Sequence, residues 1–224
     1  LVTQSYLNQN PNIKKKFKFI HISTDEVFGD IGFNKKPIKE ISPYMPNSPY
    51  SASKASSDHL VRAWIKTYKF PAMITNCTNN YGPFQNNEKL IPKTISNALS
   101  LVDIPVYSNG KQIRDWIFVE DHIRALIFLL KYGSIGENYN IGANYEMTNL
   151  QLINKICNKL DKIKPIKNKN INKYSQLIKH VSDRPGHDQR YALDTSKIKK
   201  LNWRPLRSFD FGINKTINFY LKKK

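Results

Sequence analysis

Ser23-Thr24-Asp25-Glu26-Val27-Phe28-Gly29, followed downstream by Tyr50-Ser51-Ala52-Ser53-Lys54, decides how this chain is read. The residues from Phe17 to Ile22 are largely apolar or aromatic and follow the solvated lysines 14 to 16, which predicts a short strand. Thr24, Asp25 and Glu26 then stand just past its carboxyl end, where open α/β sheets bind their ligands. Ser48-Pro49 has the chemistry of a helix start, a hydroxyl cap followed by proline in the first turn. Leu60, Val61, Trp64, Ile65 and Tyr68 recur at helical spacing, so a helix is predicted from about Pro49 to Tyr68. On that helix Tyr50 and Lys54 share one face.

A free tyrosine titrates near ~10, too high for a base at neutral pH, but an ammonium a few ångströms away favours the phenolate. The pair Tyr50 and Lys54 therefore marks a candidate general base and the cation that tunes it. The plainer alternative is two solvated residues on a surface helix. Adjacent Asp25 and Glu26 beside the Thr24 hydroxyl supply one acid and one base if their surroundings push their pKa values apart. Their alternative is a helix N-cap cluster.

Ala72 to Cys77 is expected as a second strand, ending in the turn chemistry of Thr78-Asn79-Asn80-Tyr81-Gly82-Pro83. A helix is expected over Glu88 to Leu101, and a hairpin over Pro105 to Ile117 around Asn109-Gly110. Glu120 to Tyr132 reads as an amphipathic helix with acids in its first turn and Gly133 after it. Asn138 to Ile141 reads as a strand, and Thr148 with Gln151 as the capping box of a helix to about Leu160. Leu150, Ile153, Cys157 and Leu160 fall on one face of it.

Beyond residue 161 lysine and asparagine replace apolar periodicity. Two units are therefore expected: residues 1–160, which belong to a sheet-based domain with an interleaved hairpin, and 161–224, mainly a smaller lobe. Within the latter, Arg184, His187 and Arg190 cluster around Pro185-Gly186, which suits recognition of a diphosphate. A salt-bridged surface turn is the alternative.

The 224 residues, 40% hydrophobic, bury a full core, and no apolar run reaches the roughly 18 residues that span a membrane. A soluble, cytoplasmic protein is expected. Cys77 and Cys157 form no metal set and no disulfide framework, and read as buried thiols. The two glycosylation sequons, at Asn76 and Asn214, fall inside predicted regular elements and are set aside. The formal charge of +19 raises nucleic acid as a partner. The lysines are spread out, however, at 14 to 16, between 162 and 173, and at 222 to 224, with Tyr174 the one aromatic beside the middle run, so a solvated face is the better reading.

Five stretches in order, Ser-Thr-Asp-Glu-Val-Phe-Gly, Tyr-Ser-Ala-Ser-Lys, Asn-Asn-Tyr-Gly-Pro, Arg-Asp-Trp-Ile-Phe-Val-Glu-Asp-His and Asp-Arg-Pro-Gly-His-Asp, resemble the nucleotide-sugar 4,6-dehydratases of the extended short-chain dehydrogenase superfamily over essentially the whole chain. The resemblance implies an α/β fold, a Rossmann-type doubly wound parallel sheet with a smaller C-terminal substrate-binding lobe. It implies NAD as cofactor, a homodimer, and dehydration of dTDP-glucose or UDP-glucose to the 4-keto-6-deoxy sugar, a step toward rhamnose-type deoxysugars. By matching motif, Tyr50 would take the proton of the 4-hydroxyl, Lys54 would tune it, and Thr24 would bond the 4-oxygen. Asp25 and Glu26 would be the acid and base of dehydration. Ser23, Tyr50, Lys54, Cys77 and Asn80 would face the cofactor, and Asn79, Asn80, Lys89, Leu90, Tyr107, Arg114, Asn149, Arg184 and His187 the substrate. Two departures are Asn76, where the family commonly has arginine, and Phe28, where it commonly has tyrosine.

The family's glycine-rich phosphate turn is a larger departure: neither G-x-x-G-x-x-G nor G-x-G-x-x-G occurs in the chain. The chain thus resembles the C-terminal two thirds of such an enzyme, and the 224 residues alone are expected to be inactive. An epimerase or decarboxylase of the same superfamily needs the Tyr-Lys pair but no acid and base for loss of water, so Asp25-Glu26 favours the dehydratase. A non-catalytic nucleotide-sugar-binding fragment is the alternative outside enzymes.

Overall fold

The computed structural model describes residues 1–168 and 170–222; Lys169 of the middle lysine run and Lys223 and Lys224 of the tail lie outside the described residues. Two short helices open the chain, α1 (Val2–Gln9) and α2 (Pro11–Lys14), and β1 (Phe19–Thr24) follows. Asp25–Phe28 then form a single 3-10 turn. After a long loop come α3 (Pro49–Tyr68), β2 (Ala72–Cys77), β3 (Asn79–Tyr81), α4 (Leu90–Leu99), β4 (Ile104–Tyr107) and β5 (Ile113–Phe118). The remainder is α5 (Val119–Tyr132), β6 (Asn138–Ile141), β7 (Glu146–Thr148), α6 (Asn149–Ile163), β8 (Ile178–Val181), α7 (Ser196–Lys200) and α8 (Phe209–Lys222).

Strands β1, β2 and β6 form a parallel sheet in that order, with Ser23 opposite Asn76 and Thr24 opposite Cys77. Parallel neighbours need crossovers, and α3 supplies the first while packing on both β1 and β2. Its start is fixed as the sequence predicts: Ser48 accepts from the Ser51 amide, and the Ser51 hydroxyl accepts from the Ser48 amide. A cluster of Met73, Ala125, Leu129, Tyr139 and Ile141 joins β2, α5 and β6 and takes in Ile198 and Trp203 from the C-terminal stretch. The larger cluster ties α4, α6 and α8 together through Ile91, Ile95, Ile153, Cys157, Leu160, Ile213 and Ile217, which confirms Cys157 as a core thiol.

The expected hairpin does not form. Asn109-Gly110 is a turn, with Gly110 at φ +67°, but β4 pairs with β8, and β5 pairs with β3 and, antiparallel, with β7. Each arm is held elsewhere: Ile104 and Val106 belong to the large core with Leu177, while Trp116 and Phe118 pack around Tyr81. Residues 161–224 are distributed as well, with β8 beside β4, α7 on β6, and α8 on α4 and β5.

Candidate active site

The acid pair sits where β1 ends. Thr24 is extended, its hydroxyl accepts from the Glu26 amide at 3.3 Å, and it donates to Asp25 Oδ1 at 3.1 Å. Thr24 therefore does cap the 3-10 turn. That cap also turns Asp25 inward, where it is 4% exposed and its Oδ2 has no hydrogen-bond partner among the described residues. Burial first, and the neighbouring Glu26 second, push the Asp25 carboxyl up to about 7. Glu26 is also raised by burial, but Arg114, Lys89 and Arg184 all hold it down. Among the main influences on Asp25, Arg114 is the cation that relieves it. One carboxyl is thus set up to hold a proton and its neighbour to accept one.

Behind the turn, Asn76 is fully buried and donates Nδ2 to the Thr24 carbonyl at 3.1 Å. Gly29, at φ +75°, lets the chain pass under Met45, whose carbonyl would lie 2.1 Å from an added Cβ. Phe28 packs edge-on against Tyr44 at 5.0 Å, so it is a wall of the small core of Val27, Ala55 and Leu193.

From α3, Tyr50 comes within the field of Asp25, Glu26 and Cys77, with Thr24 beside it. Its phenol is raised rather than lowered: burial is the main cause, and the carboxyls of Glu26 and Asp25 add to it. The Tyr50-x-x-x-Lys54 spacing suggests the opposite direction. The ammonium of Lys54 donates to the Ile22 carbonyl at 2.7 Å, and its charge is directed there. Cys77 donates its thiol to the Ser23 carbonyl at 3.4 Å and receives Asn80 Nδ2 at 3.4 Å; burial and Asp25 push the thiol up to about 12, so it stays protonated. Ser23 lies buried at the same strand end.

The basic side is assembled by residues far apart in the chain. Asp30 accepts from the amides of Gln189 and Arg190, and Asn47 donates to Asp188 at 2.8 Å, which lashes the 183–191 stretch to the loop after Gly29. Arg114 is 7% exposed; its guanidinium donates to the carbonyls of Ile113, Asp188 and Gln189 and lies over the Tyr191 ring at 4.4 Å. It touches the acids through its field. Arg190 is not an anion site: it grips both oxygens of Glu146 and the Lys35 carbonyl. Arg184 lies over Tyr107 at 5.4 Å, and the His187 ring meets Tyr107 edge-on at 6.2 Å. Asn149 joins this group through its amide, which donates to the Gln112 carbonyl at 3.0 Å. Lys89 stands just before the first turn of α4 without a side-chain capping bond, and Leu90 packs against the large core.

No motif or spacing in the sequence marks Tyr44, Asp58 or His21. Asp58, fully buried, accepts from Tyr44 at 2.8 Å and pairs with His21 at 3.0 Å, tying α3 to β1 behind the site. Gln112 and Tyr191 stand beside quoted motifs and Asp188 ends one, but the contacts of Gln112 with Asp183 and of Asp188 with Asn47 cross the chain.

Buried oxygens without partners gather at these strand ends: Asn79 Oδ1, Asn80 Oδ1, Asp25 Oδ2 and, across the basic side, Asn149 Oδ1. Native interiors leave few such groups unsatisfied. Their concentration here fits a polar ligand along the carboxyl end of the sheet.

Residues 5–216 match the family model described as GDP-mannose 4,6 dehydratase. The chain belongs to this family. A dTDP-glucose 4,6-dehydratase of Neisseria gonorrhoeae is 52% identical over 223 residues, which cover 99% of this chain and 64% of that relative. A dTDP-glucose 4,6-dehydratase of Bacillus anthracis solved in complex with NAD superposes with a TM-score of 0.85 at 39% identity, covering 98% of this chain and 65% of that one. For that of Streptomyces venezuelae, also solved with NAD bound, the values are 0.83 and 40%, with 92% and 60% covered. The chain therefore spans somewhat less than two thirds of the curated family member it matches. These superpositions establish the Rossmann-type α/β fold that the motifs imply.

Proposed function

We propose that this chain carries the acid, base and substrate-recognition residues of a nucleotide-sugar 4,6-dehydratase that converts dTDP-glucose to its 4-keto-6-deoxy derivative. The observation that carries the reading is the unequal pair at the end of β1, with Asp25 pushed up to about 7 and Glu26 faced by three cations. An epimerase has no use for such a pair. NAD, when bound, supplies the hydride acceptor at carbon 4 and the hydride donor at carbon 6. Tyr50 takes the proton of the 4-hydroxyl, with Thr24 holding that oxygen. Glu26 then takes the proton on carbon 5, and Asp25 gives its proton to the departing 6-hydroxyl.

Tyr50, Lys54, Ser23, Cys77 and Asn80 converge at the ends of β1 and β2 and fit the nicotinamide side of the cofactor. No glycine-rich phosphate turn is encoded in these residues. Arg184 and His187, with Tyr107, Asn149, Asn79 and Lys89, form the nucleotide and diphosphate side, carried in part by the 161–224 stretch. Free Cys77 and Cys157 accord with a reducing, cytoplasmic setting. Among the described residues no helix is long and apolar enough to cross a membrane.

The test is to incubate the full-length protein carrying this chain with dTDP-glucose and, separately, UDP-glucose. We expect the 4-keto-6-deoxy sugar from dTDP-glucose with no net consumption of added NAD+. NADH accumulating in step with product would refute the reading.

A further inference from the structure

The Asp183 carboxylate is fully engaged by three groups. Oδ1 accepts from His187 Nδ1 at 2.6 Å and from the Arg184 amide at 2.8 Å, and Oδ2 accepts from Gln112 Nε2 at 3.0 Å. It thereby joins the start of β5 to the Pro185-Gly186 turn and sets the orientation of His187. A carboxylate at Nδ1 requires a proton there, so in neutral His187 the lone pair falls on Nε2. That nitrogen makes no hydrogen bond among the described residues. A lone pair repels a diphosphate oxygen, whereas a protonated Nε2 donates to it with charge assistance.

We propose that Asp183 is a positioning residue that makes His187 a proton-coupled donor, so that nucleoside diphosphate binding draws a proton from solvent onto Nε2 of His187. This rests on the nucleotide-sugar reading above. The charged groups facing His187 are Asp183, Arg184 and Arg114, with the Tyr107 ring against its edge. The imidazole side chain is 4% exposed. Burial, Arg184 and Arg114 hold its pKa below the ordinary value, against the pull of Asp183. His187 therefore stands neutral without ligand. An arriving diphosphate offsets both arginines and raises the imidazole pKa, and between the two values each bound ligand brings up to one proton. Within that window affinity falls as pH rises, by up to about tenfold per pH unit.

Thymidine 5′-diphosphate is titrated calorimetrically into the full-length protein in two buffers of different ionisation heat, from about pH 6 to 9. We expect fractional proton uptake on binding, abolished in His187→Gln. In Asp183→Asn the fall of affinity should move to lower pH, because the imidazole loses its anionic partner. A role confined to holding the loop in shape would lower the whole affinity curve without moving it. Binding with no proton uptake anywhere in the range overturns the inference and leaves the nucleotide-sugar reading standing. Failure of the nucleotide to bind wild-type protein overturns both.

Discussion

Asp25 owes its chemistry to position. Its neighbour Glu26 has one more methylene and the same functional group, yet the Thr24 cap turns one inward and leaves the other beside Arg114, Lys89 and Arg184. A carboxyl raised to about 7 in the folded state, against about 4 when unfolded, binds more protons folded than unfolded between those values. Folded stability therefore declines as pH rises through that window, and the penalty is complete above about 7. Asp25→Asn should remove it, stabilising the protein at pH 8 by roughly 1 to 4 kcal/mol while leaving pH 4 stability nearly unchanged. The same variant should lose the dehydrated product, since an amide cannot protonate the leaving hydroxyl. Thermal melts at both pH values check it, and an equal shift at each would show that burial of the charge is not the cause. Tyr50 gives the complementary lesson: spacing reveals Lys54 one turn away, but no local pattern reveals that the Ile22 carbonyl takes its ammonium.

Elements specified by their own caps and periods were legible. Helix α3 and strands β2 and β6 begin and end where hydroxyl caps, proline and apolar runs place them, and the Thr148–Gln151 box opens α6 as expected. The hairpin failed because Asn109-Gly110 specifies only a turn, while pairing is settled by β8, β3 and β7, all distant in sequence. Strand β3 was hidden for the same reason, since its parallel partner β5 lies beyond α4. Gly29 shows how an element boundary serves the site: it closes the 3-10 turn and lets the next loop fold over it, with the Met45 amide donating to the Val27 carbonyl at 3.0 Å. Gly29→Ala should cost at least about 1 to 2 kcal/mol from the left-handed backbone alone, with more from the Met45 carbonyl. Denaturant titration should show that loss together with reduced turnover, and full stability with full activity would mean that the loop adjusts freely.

Across the whole molecule the site depends on lashings that join residues more than a hundred positions apart, Asp30 to Gln189 and Arg190 and Asn47 to Asp188, and on the nearer pair of Arg190 with Glu146. They hold the stretch carrying the basic turn at 184–187 against the loop that follows the acids of the 3-10 turn. The outer face of α3 leaves Leu60 and Tyr68 64% and 52% exposed, and α5 leaves Ile127 62% exposed, which supports the proposed homodimer. Trp64 of the same helix packs against Tyr68 and Phe70 of its own chain. Light scattering of the full-length protein at micromolar concentration should give twice the chain mass, and a monomer mass would end the dimer proposal. In the proposed reaction, oxidation at carbon 4, loss of water and reduction at carbon 6 occur in one site without net redox change. The most direct measurement follows deuterium from carbon 4 of dTDP-glucose through turnover by the full-length protein. The label should reappear on carbon 6 of the 4-keto-6-deoxy product; label left on carbon 4 of an epimerised sugar, or accumulated in free cofactor, would rule the reaction out.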